Sequence, residues 1–150
     1  MNIQPYTPTH RAAWLTMRGA LYEEEDLNHL DDEIEEITTT GKINGQPYAC
    51  LLAIDEDERA IGFIELSLRS TAEECTSSPV VYVEGWYVQP DARQRGVGRA
   101  LMNAACDWGR ERGCTEMGSD TQHFNTLSYK AHLAIGFEDA GLVRHFRRSI

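Results

Sequence analysis

The chain has 150 residues, 41% of them hydrophobic and 25% charged, with a formal net charge of -10 at pH 7. That length suits one folded domain with a sizeable core and leaves little room for a second, so residues 1–150 are expected to form a single domain. The acidity disfavours nucleic acid as a partner and attracts cations. No apolar run reaches membrane-spanning length, and Met1-Asn2-Ile3-Gln4 lacks the basic start and apolar segment of a secretion signal, so a cytoplasmic protein without a membrane partner is expected. Cys50, Cys75, Cys106 and Cys114 are widely spaced with no C-x-x-C pair, which argues against structural zinc. No metal site is expected, disulfides are not implied, and Cys50 and Cys106 read as small core residues.

Residues 2–5 read as a short strand. Thr7-Pro8-Thr9 leads into a helix over residues 10–19, with Trp14, Leu15 and Met17 on its apolar side and Gly19-Ala20-Leu21-Tyr22 breaking it loosely. Residues 27–38 carry Leu27, Leu30, Ile34 and Ile37 at spacings of three and four, an amphipathic helix. Its other face belongs to an acidic run, Glu23, Glu24, Glu25, Asp26, Asp31, Asp32, Glu33, Glu35 and Glu36, with no base among them. Each member alone reads as solvated surface; together they raise the local concentration of a polycation.

Residues 41–45 are a turn region, 47–54 a strand, and Asp55-Glu56-Asp57-Glu58 an acidic hairpin turn. Residues 60–68 form the next strand, with an alternation that shifts midway as a bulge would shift it. A polar loop over 70–78 precedes the longest strand, 79–88. After the turn at 93–98, a helix running to Arg112 buries Val97, Leu101, Cys106 and Trp108 and stops at Gly113. Residues 114–119 read as a short strand, 125–134 as a helix, Gly136-Phe137-Glu138 as a turn, and 142–148 as a last strand. This order predicts an α+β, mixed α/β fold in which helices cover a sheet.

The richest local signal is Arg93-Gln94-Arg95-Gly96-Val97-Gly98. Its glycines let the backbone approach a ligand, and the helix that begins there points unpaired amides outward, which suits a phosphate or pyrophosphate. Arg93, Arg95 and Arg99 reverse the sign of the chain locally, although arginines that merely solubilise the turn would look the same. The nucleotide-triphosphate loop Gly-x-x-x-x-Gly-Lys is missing, and so is the full Gly-x-Gly-x-x-Gly dinucleotide fingerprint.

Arg93-x-x-Gly96-x-Gly98 resembles the pyrophosphate arm of the Gcn5-related N-acetyltransferases. The strand before it, Asn125, and the later Ile135-Gly136-Phe137 agree with that superfamily in order and spacing. Ser77-Ser78-Pro79-Val80-Val81, Glu84-Gly85, Arg93-Gln94-Arg95-Gly96-Val97, Glu116-Met117, Ser119-Asp120-Thr121 and Gly136-Phe137-Glu138 are similar to the chromosomally encoded aminoglycoside 6'-N-acetyltransferases, over nearly the whole chain. The resemblance implies an acetyltransferase fold with a mixed, mostly antiparallel sheet flanked by helices. It further implies acetyl transfer from acetyl-CoA to the 6'-amino group of a cationic aminoglycoside, antibiotic resistance, and a homodimer.

The same resemblance implies roles for single residues. Trp86, Tyr87 and Val88 would pair with the pantetheine arm, with the Val88 amide as oxyanion donor. Gln94, Arg95, Gly96, Val97, Gly98 and Arg99, with Arg93, would hold the pyrophosphate, and Asn125 would contact the coenzyme arm. Tyr22, Glu25, Glu84, Asp120 and Glu138 would meet the aminoglycoside.

The residues themselves leave alternatives. Glu84 interrupts the apolar run Val80-Val81-Tyr82-Val83 and is either salt-bridged, bound to a substrate ammonium, or a general base acting through water. Asp120 could cap the segment after it, Glu138 could be an exposed turn residue, and Tyr22 could be helix-end packing. Many members of the superfamily carry a proposed acid, a tyrosine, four residues before the Gly136-Phe137 pair, where this chain has His132. His132 is then a general acid, a coenzyme contact or, by default, a satisfied core histidine; Tyr129, three residues earlier, would face elsewhere on the helix. Competing with aminoglycoside acetylation are acetylation of a polyamine or another small cationic amine, and a coenzyme-binding module without catalysis.

Overall fold

The computed structural model describes residues 1–150. Its internal contacts divide the chain into two compact units, Met1–Ser119 and Asp120–Ile150. In the first unit β1 (Asn2–Pro5), β3 (Gln46–Ile54), β4 (Ala60–Arg69), β5 (Val80–Val88) and β6 (Met117–Ser119) lie side by side in chain order, with β2 (Lys42–Ile43) added to β3. All pairs are antiparallel except β5 with β6, whose parallel run matches Val81–Val83 to Met117–Ser119. The expected mixed, mostly antiparallel sheet flanked by helices is what forms.

One face of the sheet is covered by α1 (Arg11–Tyr22) and α2 (Asn28–Thr40). Trp14 and Met17 of α1 and Ile34 and Ile37 of α2 pack with Cys50, Leu52, Ile54 and Phe63 in one buried cluster. Gly19 does not break α1: a Cβ there would lie 2.6 Å from a Leu27 methyl, so the glycine admits close packing, and the helix ends instead at left-handed Glu23. The acidic face of α2 is partly tied down. Arg11 meets Asp31 and Glu35 at 2.9 and 2.6 Å, and Arg18 meets Glu33 at 2.7 Å.

The other face takes α3 (Val97–Arg110), which buries Val97, Leu101, Met102, Ala105 and Gly109. Cys106 and Trp108, expected in that core, are half-buried, because the stripe set by Val97, Leu101 and Ala105 advances by fours and leaves them at its margin. Cys114 is the second buried cysteine instead. The expected strand over 114–119 shortens to Met117–Ser119, the only part that finds a register on β5.

Two bulges interrupt the ladders, and the second shifts the register at the middle of β4, where a shift is expected, although its extra residue lies on β5. Ala53 pairs with Gly62 and Ile54 with Ala60, leaving Ile61 as an extra residue on β4. Glu65 pairs with Gly85 and Leu66 with Val83, leaving Glu84 as the extra residue on β5. The second bulge resets the alternation of β5.

The second unit contains α4 (Thr126–Ala134), capped by the Asn125 side chain accepting from the Ser128 amide at 3.0 Å. No strand forms over 142–148: residues 137–150 carry neither helix nor strand, and Phe146 is 93% exposed. Leu142-Val143-Arg144-His145-Phe146-Arg147-Arg148 has no period-2 separation of apolar from polar residues that would give a strand a face to bury.

Candidate active site

A cavity of about 500 Å³ opens between α1, α2 and the sheet, lined by Tyr22, Glu24, His29, Glu33, Tyr48 and Glu84 among others. Its wall rests on a buried polar cluster. Glu65, 0% exposed on β4, accepts hydrogen bonds from the Trp14 indole and the Tyr48 hydroxyl, each at 2.7 Å, and pairs with Arg18 Nε at 2.8 Å. Arg18 spends its remaining nitrogens on the Leu30 carbonyl at 2.9 Å and on Glu33 at 2.7 Å. Burial pushes the Glu65 carboxyl up, with Arg18 and the two donors opposing. Burial also works against the Arg18 guanidinium, but the Glu65 charge and the Glu33 bond outweigh it and hold Arg18 above its ordinary value.

Tyr22 lies at the end of α1, with its hydroxyl against β5. A Cβ at Gly85 would stand 3.0 Å from that oxygen, so the missing side chain there lets the phenol reach the strand. Burial, and then the Glu65 charge, push the Tyr22 phenol above its ordinary value, so it serves as a neutral donor. The same two causes act on Tyr48.

Glu84 is brought to this cavity by the β5 bulge. Opposed residues share a sheet face, so Tyr82 with Ser67 and Gly85 with Glu65 all look toward α1 and α2, and Glu84 joins them. It is salt-bridged, as one reading of the sequence held: Arg69 Nη2 lies 2.8 Å and Nε 3.2 Å from Oε1, and the Ser67 hydroxyl donates to the same oxygen. The Arg69 guanidinium lies over the Tyr82 ring, 3.5 Å from its centroid.

Beyond the bulge the strand changes character. The Gln89 amide donates to the Ile61 carbonyl at 2.9 Å, which makes Ile61 and Gln89 a hydrogen-bonded pair. Antiparallel pairs alternate, so Gly62–Val88 and Ile64–Trp86 are non-hydrogen-bonded pairs, and the amides of Val88 and Trp86 point away from β4. On that side β6 pairs with β5 only as far as Val83. The Val88 carbonyl, pointing the same way, accepts from Arg93 Nε at 2.9 Å. Arg93 thus braces the turn.

Gly96 opens α3 with φ 81°, a left-handed conformation that glycine adopts without strain, and no side chain caps the helix. Arg95 and Arg99 are exposed beside it, while Val97 is buried in the core. A Cβ at Gly98 would come within 2.9 Å of the Trp86 ring, so this glycine lets α3 lie directly on β5. Outward amides on β5, an uncapped helix entry and exposed arginines form a surface that fits a phosphorylated coenzyme with an extended amide-bearing arm.

The remaining expected residues are placed as follows. Glu25 is exposed in the loop before α2 and does not line the cavity, whereas Glu24 does. In the second unit Asp120 and Glu138 are exposed, and the Asn125 side chain caps α4. The half-buried His132 lies edge-on to Phe137 with centroids 5.1 Å apart, its Nδ1 2.8 Å from the Ser128 carbonyl. Tyr129 donates to Asp139 at 3.2 Å. Sequence reasoning overlooked Ser67, Arg69, Glu33 and the Arg18–Glu65 pair. The available signal was that Glu65, Ser67 and Arg69 alternate polar groups along one face of a strand otherwise apolar.

A model of the acetyltransferase (GNAT) family matches residues 11–137. An "Aminoglycoside N(6')-acetyltransferase type 1" of Klebsiella aerogenes is 47% identical over 148 residues, covering 99% of this chain and 96% of that protein. The solved structure of AAC(6')-Iy with the bisubstrate analog CoA-S-monomethyl-acetylneamine superposes with a TM-score of 0.85 at 37% identity, covering 99% of this chain and 98% of that one. AAC(6')-Iy in complex with CoA gives a TM-score of 0.88 at 36% identity, over 99% and 95% of the two chains. Matched across most of its length by the family and end to end by such a relative, the chain belongs to the GNAT acetyltransferases and is closely related to the type 1 aminoglycoside 6'-N-acetyltransferases.

Proposed function

We propose that the protein transfers acetyl from acetyl-CoA to the 6'-amino group of an aminoglycoside by direct attack of the amine, conferring resistance to such drugs. The observation that carries this reading is the bulge in β5. It places Glu84 on an acidic cavity and, within four residues, turns the Val88 amide outward from the sheet. Similarity to AAC(6')-Iy, solved with CoA and with a bisubstrate analog, supports both halves of the assignment.

The coenzyme supplies an activated acetyl thioester, so the chain has only to bind, align and stabilise charge. Trp86, Tyr87 and Val88 take the pantetheine arm, and the Val88 amide faces the oxygen on which negative charge develops. Gly96, Val97 and Gly98 offer main-chain amides at the helix entry, and Gln94, Arg95 and Arg99 add side chains around the pyrophosphate. Arg93 acts on this site by bracing the Val88 carbonyl. Glu84 receives the acceptor amine, and Tyr22, Glu24 and Glu33 line the space for the rest of a polycation. Asp120 and Glu138 are further candidates for ammonium contacts. We assign His132 to closing the turn after α4, since Nδ1 is engaged with its own helix. A homodimer belongs to the same proposal and is checked by light scattering.

The test is a coupled thiol-release screen with acetyl-CoA and paired aminoglycosides bearing either an amino or a hydroxyl group at the 6' position. Release of CoA is expected only with the 6'-amines, with 6'-acetylated product. Equal turnover of both members of a pair overturns the regiochemistry, and no turnover with any aminoglycoside overturns the substrate class. The acidic cavity would equally attract a polyamine, and a polyamine kcat/KM above every aminoglycoside's would establish that second reading. Tight acetyl-CoA binding without thiol release for any amine would identify a non-catalytic module.

A further inference from the structure

Glu84 holds its neighbours with one oxygen only. Ser67 Oγ, Arg69 Nε and Arg69 Nη2 all donate to Oε1. Oε2 accepts from none of them, and the Glu84 side chain, 23% exposed, lines the cavity. The donors themselves are set firmly. Ser67 is 1% exposed on β4, and Arg69, two residues on along the same face, is stacked over the Tyr82 ring.

We propose that Ser67 and Arg69 are positioning residues that fasten Glu84 through Oε1 and so present Oε2 to the substrate ammonium. This rests on the assignment of Glu84 to the acceptor amine. A glutamate side chain at a bulge has rotamers to spare, and an ammonium bound to a swinging carboxylate would not be aligned for attack. Three donors on one oxygen remove that freedom. They also confine hydrogen bonding by the substrate to the single remaining oxygen, which fixes where the amine sits relative to the β5 amides. Arg69 offsets part of the Glu84 charge as well, so the contact discriminates by direction and hydrogen bonding more than by raw attraction.

The test is a double-mutant cycle read as kanamycin affinity by calorimetry in the presence of CoA, which needs no turnover. Arg69→Ala is expected to weaken kanamycin binding about tenfold and Ser67→Ala about threefold, each with acetyl-CoA affinity unchanged. In a Glu84→Gln background Arg69→Ala should cost less than about twofold, because the residue acts through Glu84. Arg69→Lys keeps the charge but offers no two-pronged fork, and is expected to recover less than half of the lost affinity on a logarithmic scale. If Arg69→Ala is poorly folded, Arg69→Gln, which keeps an N–H donor and most of the stem, replaces it in the same cycle. An undiminished cost in the Glu84→Gln background, or full rescue by lysine, overturns the proposal. Failure of the functional reading looks different: the unmutated protein then neither binds nor acetylates kanamycin, and the cycle is run with spermidine.

Discussion

Removing Arg18 probes the polar cluster beneath the cavity. Arg18→Met keeps much of the stem but deletes the 2.8 Å contact to Glu65, the bond to the Leu30 carbonyl and the 2.7 Å tie to Glu33. Glu65 is 0% exposed, so its charge is left with only the Trp14 and Tyr48 donors and cannot be hydrated in place. Breaking a buried pair in this way costs about 3–5 kcal/mol. At roughly 2–4 °C per kcal/mol for a chain of this size, the melting temperature should fall by about 6–20 °C. Adding Glu65→Gln removes the stranded charge, keeps an oxygen to accept from the Trp14 indole and turns an amide N–H to the Tyr48 hydroxyl, which can accept, and should recover at least about half of the loss. Acidity gives an independent check. Burial raises the folded-state affinity of Glu65 for a proton above that of the unfolded chain, whose ordinary value is 4.5. The protonated form therefore adds stability that is fully present below that value and is lost as pH rises through the folded one. Without Arg18 the effect grows, so the deficit of the variant should narrow as pH falls toward 4.5. Differential scanning calorimetry over this range measures both effects. A single variant melting within about 2 °C of the parent at neutral pH would refute the account of Glu65 as an ionised group dependent on Arg18.

Two further perturbations test other parts of the structure. Gly98→Ala should destabilise, against the gain of about 1 kcal/mol that alanine normally brings to a helix interior, because its Cβ would meet the Trp86 ring at 2.9 Å. A fall of about 2–4 °C in melting temperature is expected, and a rise would show that α3 has room above β5. Glu116 accepts from the amides of Thr76 and Ser77 at 2.8 and 2.6 Å, and the Ser77 side chain and backbone bonds hold its carboxyl below the ordinary value of 4.5. That latch is therefore intact above 4.5 and is lost as pH falls through the lowered value, so hydrogen exchange at Thr76 and Ser77 should accelerate there once intrinsic rates are corrected. Unchanged protection under acid conditions would remove Glu116 as the anchor of this loop.

Much of the architecture was legible because it rests on local patterns. Leu30, Ile34 and Ile37 announce α2 by spacing, the Asp55 turn separates two apolar runs, and the Arg93 to Gly98 string marks the entry of α3. Errors fell where local pattern competes with distant partners. Gly19 reads as a helix breaker and proves to be a packing site for Leu27, while residues 142–148, expected as a strand, carry neither helix nor strand. Tyr22, singled out by the family resemblance, and Glu84, singled out as a carboxylate within an apolar run, both line the cavity. Ser67 and Arg69 were passed over because a serine and an arginine on a strand carry no chemistry until another strand brings a carboxylate to them.

The order of residues was sufficient for the acidic field, the glycine-rich basic turn and the family resemblance, since charge and turn conformation are properties of short stretches of chain. Which side of the sheet Glu84 faces, which of its oxygens is occupied and which way the Val88 amide points depend on one extra residue in β5 relative to β4. Register between strands distant in the chain is chosen by packing on both faces at once, and a shift of one residue reverses every side chain beyond it.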